Sequence, residues 1–543
     1  MHERLKRELK AAIDAVISSP SHKKIIVAGP GAGKTALFRQ LLQAIGGDPE
    51  SLLVLTFINN LRSDLERDLG GVCQVSTFHG YCRRLLHQNE NLRVPLTGNF
   101  HYFPPLPSLI KSDWEIALEE ESPQFIRLMR ELNGQDEADF YLTRANYYDA
   151  VSFDDSVYRV YKRFEAQPDD VDEFDLLLVD EYQDFNKLEV EFIRYLAAAS
   201  PVVIAGDDDQ ALYSQLRSSR VDYIRDLFRG GEYDQFQLPF CMRCTAPIVE
   251  AVADVLRHAQ RIGALRNRIE KPYRFYPPRK GADSELYPTV KVVETTVQRL
   301  RGANYFGRYI QEQIEQIPRE EVRESEEGHF PTVLVIGPIQ YLRQIRTHLE
   351  AAGYACQVSE SDDVAELDRD DGLRVLQGNP NANLGWRIML EVDRPEFIID
   401  VVRQSVVEER PLVDLIPDDY RNRVLADVIA VVERGDAAND DDEDEGAAPP
   451  LSIKLTSYEG SKGLSAQHVF IVGLHDGDLP RDPGNITDLE ICKFLVALTR
   501  TRKQCHLVYT QRWGAERKRP SIFLRWLDRG IAERIVVDRS YWD

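Results

Sequence analysis

The sequence predicts an α/β protein with two domains built on parallel sheets, each interrupted by a largely helical insertion. Short apolar segments alternate with helical ones in two separate sets, and strands that alternate with helices form parallel sheets through crossover connections. The first set of predicted strands is 24–28, 52–56, 74–77, 176–180 and 202–205. The second set is 290–294, 332–336, 453–456, 469–472 and 506–509.

The predicted domain bounds follow from the stretches that break each set. The first sheet domain comprises 1–87 and 173–240, and it is interrupted by a helical, aromatic-rich insertion at 88–172. The second sheet domain comprises 241–358 and 452–543, with a helical and very acidic insertion at 359–451.

Composition indicates a globular protein rather than a membrane protein. The chain has 543 residues, of which 43% are hydrophobic and 29% charged, a balance that lets several cores form. No apolar run approaches the roughly 20 residues that a membrane helix needs, so we expect no membrane partner. Seven cysteines are scattered along the chain, and Cys241-x-x-Cys244 has no second pair at zinc spacing. These features favour a reducing cytoplasm and no zinc site.

The net charge of −22 argues on average against a nucleic-acid partner, because phosphate binding needs Lys and Arg. A protein with one basic channel can nevertheless be acidic elsewhere. Part of the excess lies in the acidic run 440–445, which we interpret as a solvated linker. The alternative is a segment that mimics DNA or inhibits the protein.

A glycine-rich segment between a predicted strand and a predicted helix carries the strongest chemical signal. In such a turn, backbone N–H groups close around a β-phosphate, and the helix N-terminus adds positive potential. Lys34 would reach the β- and γ-phosphates, and the Thr35 hydroxyl would bind Mg²⁺. The predicted nucleotide-binding residues are Ala28, Gly29, Pro30, Gly31, Ala32, Gly33, Lys34 and Thr35.

Polar residues at two further strand ends complete a hydrolytic site. Asp180 and Glu181 follow an apolar strand, and adjacent strand residues point to opposite sides. Asp180 would hold Mg²⁺, and Glu181 would orient and deprotonate the attacking water. Gln210, in the acidic segment after the 202–205 strand, can sense a γ-phosphate, although a plain loop is an equally good interpretation.

A second domain often supplies arginines that stabilise the γ-phosphate in the transition state. Arg243 and Arg500 are the candidates in this chain, but their local sequence does not distinguish them from other arginines.

Taken together, a series of ordered segments resembles the UvrD/Rep/PcrA helicases of superfamily 1. The segments are 28–35, 55–60, 77–80, 179–184, 206–213, Arg243, 461–464 with 468–473, Thr499 with Arg500, and 520–524. Their order and spacing over most of the chain make the resemblance specific. It implies two RecA-like domains, ATP as substrate, Mg²⁺ as cofactor, and insertions that match the accessory domains 1B and 2B, the second of them shortened.

The resemblance also implies roles for individual residues. Gln210, Arg243 and Arg500 become γ-phosphate contacts, and Met242 occupies the position that meets the nucleobase. A single-strand track binds bases by stacking on aromatic side chains, at about 1–3 kcal/mol each; for Phe57 and Phe78 the alternative is a place in the core. The implied DNA-binding residues are Phe57, Asn59, Thr77, Phe78, His79, Tyr213 and Lys462.

The departures from the family pattern concern recognition of the adenine base of ATP and one residue that stacks on DNA. Residues 1–30 contain no glutamine to read adenine, and Met242 replaces the aromatic residue that stacks on it. Ser465 replaces a glutamate, Glu459 a histidine, and Gln215 a tryptophan or phenylalanine that stacks on DNA. The phosphate chemistry is complete in the sequence.

The leading hypothesis is an ATP-dependent translocase that moves 3′ to 5′ on single strands and separates tailed duplex DNA. One alternative is a DNA-stimulated ATPase that remodels protein–DNA complexes. Another is an ATP-switched scaffold for a partner nuclease, against which the complete catalytic set argues. Repair, plasmid maintenance and phage defence all stay open as pathways.

Overall fold

The computed structural model describes residues 1–56, 59–295, 305–358, 367–435 and 451–542. Two large sheets, of six and seven strands, are built from parallel pairs. This confirms the predicted α/β fold class with two RecA-like domains. The acidic run 440–445 lies outside the described residues.

The first sheet gathers the segments that carry the predicted catalytic groups. Its central strands are mainly apolar and almost entirely buried, as expected where helices cover both faces of a parallel sheet. The strand order is Gln74–Thr77, Leu52–Thr56, Leu176–Val179, Val202–Gly206, Lys23–Val27 and Asp234–Gln237. Since carboxyl ends of parallel strands share one edge, the residues that follow Val27, Val179 and Gly206 meet there.

Helices cover this sheet and lead into the first insertion. The helices of the first domain are His2–Ser18, Lys34–Ile45, Asn59–Leu69, Phe78–Gln88, Lys187–Ala199, Ser214–Arg217 and Asp222–Arg229. Those of the insertion are Glu90–Arg93, Leu106–Leu118, Phe125–Glu131, Gln135–Tyr147 and Phe153–Ala166, with a short strand pair, His101–Tyr102 and Ala150–Val151.

The second sheet has the order Cys356–Val358, Ile453–Thr456, Val333–Ile336, Ala466–Val472, Thr501–Thr510, Val290–Thr295 and Ala532–Val537. Its domain contains the helices Ala246–Arg261, Pro277–Leu286, Tyr305–Glu315, Arg319–Glu327, Ile339–Ala351, Asp488–Thr499 and Phe523–Trp526. Three short pairs lie outside the sheet: Phe240–Cys241 with Arg274–Phe275, His475–Asp476 with Arg519–Pro520, and Arg512–Trp513 with Glu516–Arg517.

The second insertion is helical where it is described, and it packs against the first insertion. Its helices are Arg369–Gly378, Asn383–Asp393, Ile398–Glu408, Leu412–Leu415 and Asp418–Gly435. The contact centres on the buried carboxylate of Asp113, which accepts from Arg144 Nε and from Arg387 Nε at 2.8 Å each. Arg144 also donates to the Ser405 hydroxyl at 3.1 Å. One charge cluster therefore joins the two insertions.

In the described part of the chain, no helix combines the length and apolar character required to span a membrane.

Candidate active site

The glycine-rich loop connects the strand Lys23–Val27 to the helix Lys34–Ile45. Gly31 and Gly33 have φ angles of 70° and 89°, in the left-handed region that glycine adopts without strain. Residues of the second domain cover this loop closely. A Cβ atom on Gly31 would meet Arg243 Cβ at 2.5 Å, and one on Gly33 would collide with the Met242 methyl group.

Main-chain contacts fix the same loop from both sides. The Ala28 N–H donates to Gly206 O at 3.1 Å, and the Met242 N–H donates to Gly31 O at 2.9 Å. Ala28 and Ala32 are buried, and Thr35 lies in the first turn of the helix that begins at Lys34. The loop thus presents a helix N-terminus at the sheet edge, the arrangement that binds phosphate.

Lys34 faces the two predicted catalytic carboxylates. Its Nζ lies 3.3 Å from Glu181 Oε1 and 4.0 Å from Asp180 Oδ1. Burial lowers the pKa of Lys34, but the nearby carboxylates outweigh this and raise it above its ordinary value. The ammonium group therefore stays charged where a phosphate chain would bind.

The pKa values of Asp180 and Glu181 shift in opposite directions. Burial raises the pKa of Asp180. For Glu181, the effect of burial is outweighed by Lys34 and Lys462, which hold its pKa below the usual range. Gln183 donates to Glu181 Oε2 at 2.5 Å, so Glu181 is an oriented and charged carboxylate, the form in which a general base acts.

The Thr35 hydroxyl and the Asp180 carboxylate are the groups that would hold Mg²⁺. Both supply hard oxygen donors, the type that Mg²⁺ binds in phosphate sites.

Gln210 links the first domain to the second. Its Nε2 donates to Asp207 Oδ2 at 2.7 Å, and its Oε1 accepts from Arg500 Nη2 at 2.9 Å. Burial, together with the neighbouring Arg243, lowers the pKa of Arg500 to about 10. Two arginines that repel each other beside the phosphate loop favour an anion between them.

Lys462 of the second domain also lies at this site. Its ammonium group is buried, bonds to the Asp184 carboxylate and to Gln210 O at 3.0 Å, and lies 3.4 Å from Glu181 Oε2. Burial lowers the pKa of Lys462 to about 8. The prediction that Lys462 contacts DNA is therefore corrected, because its charge is engaged by first-domain carboxylates beside the phosphate loop.

Sequence reasoning missed the cations that neutralise the segment before Gln210. Lys271 Nζ lies 2.7–2.8 Å from carboxylate oxygens of Asp207, Asp208 and Asp209, and Arg268 pairs with Asp209 at 2.5 Å. The three carboxylates are close enough to hold a metal ion, but the Lys271 ammonium occupies their centre. Three buried acidic residues in a row require a cation, which is the signal that could have pointed to Lys271.

Comparisons with known proteins show sequence similarity to the AAA domain family and to DNA helicases. Residues 10–215 match the AAA domain family. The ATP-dependent DNA helicase PcrA of Staphylococcus epidermidis is 26% identical over 308 residues, which cover 48% of this chain and 41% of PcrA. DNA helicase II of Haemophilus influenzae is 24% identical over 297 residues, covering 46% and 40%. YjcD of Bacillus subtilis is 22% identical over 616 residues, covering 89% and 76%.

The chain is therefore similar in sequence to the UvrD/PcrA-like helicases of superfamily 1. This confirms the resemblance found in the sequence. The chain spans about two fifths of the length of the PcrA and DNA helicase II relatives.

Phe78 does not lie on the surface of this protein. It is 1% exposed and packs edge-on against Phe185 and Phe192, with ring centroids 5.0 and 5.9 Å apart. The prediction that Phe78 stacks on a base is wrong in this structure, because both faces of its ring lie in the core. Phe57 and the side chain of Asn59 lie outside the described residues.

Thr77 and Tyr213, two other predicted DNA-binding residues, form hydrogen bonds within the protein. The Thr77 hydroxyl caps a helix by accepting from the Gly80 N–H at 3.1 Å. His79 Nε2 is buried and has no hydrogen-bond partner among the described residues, and burial lowers the pKa of His79 to about 4. The Tyr213 hydroxyl donates to Glu459 O at 3.1 Å, across the domain boundary.

Proposed function

We propose that this chain hydrolyses ATP between its two RecA-like domains, moves 3′ to 5′ along single-stranded DNA and separates duplex strands. One observation carries the proposal: Lys462 and Arg500 of the second domain bond directly to Asp184 and Gln210, beside the Lys34 loop. A site that needs groups from both domains makes hydrolysis depend on how the domains meet.

In the proposed reaction, Lys34 and the loop N–H groups bind the β- and γ-phosphates of ATP. Glu181 accepts a proton from the attacking water. Arg243 and Arg500 stabilise the charge that develops on the transferred phosphoryl group. Mg²⁺, when bound through Thr35 and Asp180, neutralises charge on the phosphate oxygens.

Gln210 is the residue through which the state of the nucleotide would reach both domains. It contacts Asp207 on its own domain and accepts from Arg500 on the other. Loss of the γ-phosphate changes the balance of charge around Arg500, so closure weakens after hydrolysis. Repeated closure and opening would move the domains along a strand.

The relatives support DNA as the substrate, since two of them are named as DNA helicases and the third as a putative one. We also propose that the chain is divided into four units. They are the first RecA-like domain, 1–87 with 173–240; its insertion, 88–172; the second RecA-like domain, 241–358 with 452–543; and its insertion, 359–451. A partner nuclease and a cytoplasmic location also remain proposals.

Gln215 favours a second candidate function, translocation that remodels protein–DNA complexes with little strand separation. It lies in the helix Ser214–Arg217 and is exposed, as is its neighbour Leu216. A polar amide at this position supplies no aromatic face on which a base can stack.

A single-turnover unwinding assay on 3′-tailed and 5′-tailed duplexes tests the direction and separates the two candidates. We expect ATP-dependent strand separation on the 3′-tailed duplex, with Lys34→Ala as the inactive control. Displacement of a bound protein block without strand separation would favour remodelling. Separation of only the 5′-tailed duplex would contradict the proposed direction.

A further inference from the structure

Cys241 and Cys244 enclose Arg243, at the point where the second domain covers the phosphate loop. Cys241 ends the short strand Phe240–Cys241, and Cys244 directly precedes Thr245, the N-cap of the helix Ala246–Arg261. Both thiols are free and fully buried. Neither takes part in the proposed hydrolysis.

The two cysteines contact each other and opposite sides of the active site. The Cys244 N–H donates to Cys241 Sγ at 3.5 Å. Cys241 Sγ lies 3.3 Å from where a Cβ atom on Gly31 would stand. The Cys244 thiol donates to Thr499 O at 3.7 Å, next to Arg500.

We propose that Cys241 and Cys244 form a reversible disulfide that lowers ATP turnover by displacing Arg243. This inference rests on the proposed function for its effect on turnover, but not for the bond itself. The spacing Cys-x-x-Cys is the one that redox-active pairs use. In a reducing compartment the dithiol is the resting form, and a disulfide there is transient and sensory.

The environment assigns different roles to the two sulfurs. Although burial opposes the thiolate, hydrogen bonds from Cys244 and the surrounding donors lower the pKa of Cys241. The hydrogen bond to Cys241 and burial raise the pKa of Cys244. Cys241 is therefore the sulfur that attacks an oxidant, and Cys244 the one that resolves the product.

With a peroxide as oxidant the reaction balances. The Cys241 thiolate attacks one peroxide oxygen, the O–O bond breaks, and a sulfenic acid and one water form after proton transfer. The Cys244 sulfur then attacks Cys241 Sγ, the S–O bond breaks, and a second water leaves. Two thiols are oxidised by two electrons, and the peroxide is reduced to two waters.

The bond would act on catalysis through short contacts. A disulfide draws the sulfurs to about 2.05 Å, and it would shift Met242 and Arg243, which lie between them. Met242 bonds to Gly31 O and Arg243 packs on Gly31, so the shift reaches the phosphate loop. A misplacement of about 1 Å in an active site can cost about 10²-fold in rate.

The test treats the full chain with a small excess of hydrogen peroxide, quenches with catalase, and divides each sample for peptide mapping and ATP turnover. Trypsin cleaves after Arg229, Arg243 and Arg257, so the disulfide joins peptide 230–243 to peptide 244–257. We expect the joined peptides, loss of two of the seven thiols, and a fall in turnover of about tenfold or more that dithiothreitol reverses.

For each variant, the peroxide-treated protein is compared with the reduced protein of the same variant. Cys244→Ser should give no joined peptides and no loss of turnover that dithiothreitol restores. Cys73→Ser is the matched control, since Cys73 is a buried cysteine of the first domain whose pKa burial raises to about 11; it should behave as the parent. Absence of the joined peptides in the parent, or their presence with unchanged turnover, would overturn the inference. A reduced parent without turnover would instead contradict the proposed function, and the peptides would still decide whether the bond forms.

Discussion

Arg500 Nη2 lies 2.9 Å from Gln210 Oε1, so an arginine of the second domain donates directly to a side chain of the first. The Arg500 guanidinium is held in place by its own domain, because its Nε donates to Val496 O at 2.9 Å and its Nη1 to Leu464 O at 3.2 Å. Arg500 is therefore a rigid part of the second domain that reaches into the active site of the first.

Replacement of Arg500 tests whether this residue contributes to ATP hydrolysis. Arg500→Ala should lower ATP turnover about 10³-fold or more, as loss of an arginine finger does, with a smaller effect on ATP affinity. Arg502→Ala is the matched control, because Arg502 stacks on Phe330 at 3.7 Å and bonds to Ser465 at 3.0 Å instead. Equal turnover in the two variants would show that Arg500 has no special role.

We expect Glu181 to be the general base of ATP hydrolysis. Glu181→Gln keeps the shape of the side chain and removes its charge, so we expect nucleotide binding to persist while turnover falls by roughly two to four orders of magnitude. Glu191→Gln, which changes a carboxylate paired with Arg194 on the same domain, should leave turnover near that of the parent. Turnover of Glu181→Gln within a few-fold of the parent would assign the base to another group.

Met242 predicts weak discrimination between nucleobases. The Met242 side chain covers Gly33 where the family uses an aromatic residue, and apolar contact discriminates between bases less than a hydrogen bond does. GTP and dATP should therefore support turnover within about tenfold of ATP, compared as kcat/KM. A strict requirement for ATP would mean that another residue hydrogen-bonds adenine.

The charge cluster between the insertions should be important for stability. Asp113→Ala leaves the buried Arg144 without a carboxylate and Arg387 with Glu391 alone, and breaking such a cluster costs about 3–5 kcal/mol. Arg403→Ala also cuts a link between the insertions, but its pair with Glu119 is exposed and contributes about 0–1 kcal/mol. Thermal unfolding should show a large loss for the first variant and almost none for the second; similar melting temperatures would contradict this reading of the cluster.

The exposed amide of Gln215 should limit strand separation. We expect the parent protein without a partner to unwind a 3′-tailed duplex poorly. Gln215→Trp should unwind it better, because stacking on one base contributes about 1–3 kcal/mol to binding of the strand. A deletion of 440–445 tests separately whether the acidic run contributes to the limit. Efficient unwinding by the parent, unchanged in both variants, would show that neither feature limits it.

The central strands of both sheets and the edge strand Gln74–Thr77 were predictable from the sequence, and the other edge strands were not. Leu52–Thr56 has the predicted bounds, because burial on both faces demands a nearly continuous apolar run. Ile453–Thr456 also has the predicted bounds, although it contains the partly exposed Lys454. Asp234–Gln237, Cys356–Val358 and Ala532–Val537 were missed. Each lies at or next to the open side of its sheet and includes exposed residues, so its composition resembles that of a loop.

The family motifs identified which segments contribute to the site, but not which contacts each side chain makes. Phe78 and Lys462 both lie in segments that the family uses, yet one packs in the core and the other bonds to Asp184. Lys271 belongs to no segment singled out in the sequence, although it pairs with three aspartates. These outcomes depend on contacts between distant parts of the chain, which local pattern does not record.

The most direct test of the account is the steady-state rate of ATP hydrolysis by the full chain with and without single-stranded DNA, alongside Lys34→Ala. If the active site is completed by the second domain and DNA governs how the domains meet, hydrolysis should rise on addition of DNA and be absent from Lys34→Ala in both conditions. Hydrolysis by the parent that is the same with and without DNA, or that survives in Lys34→Ala, would contradict the account.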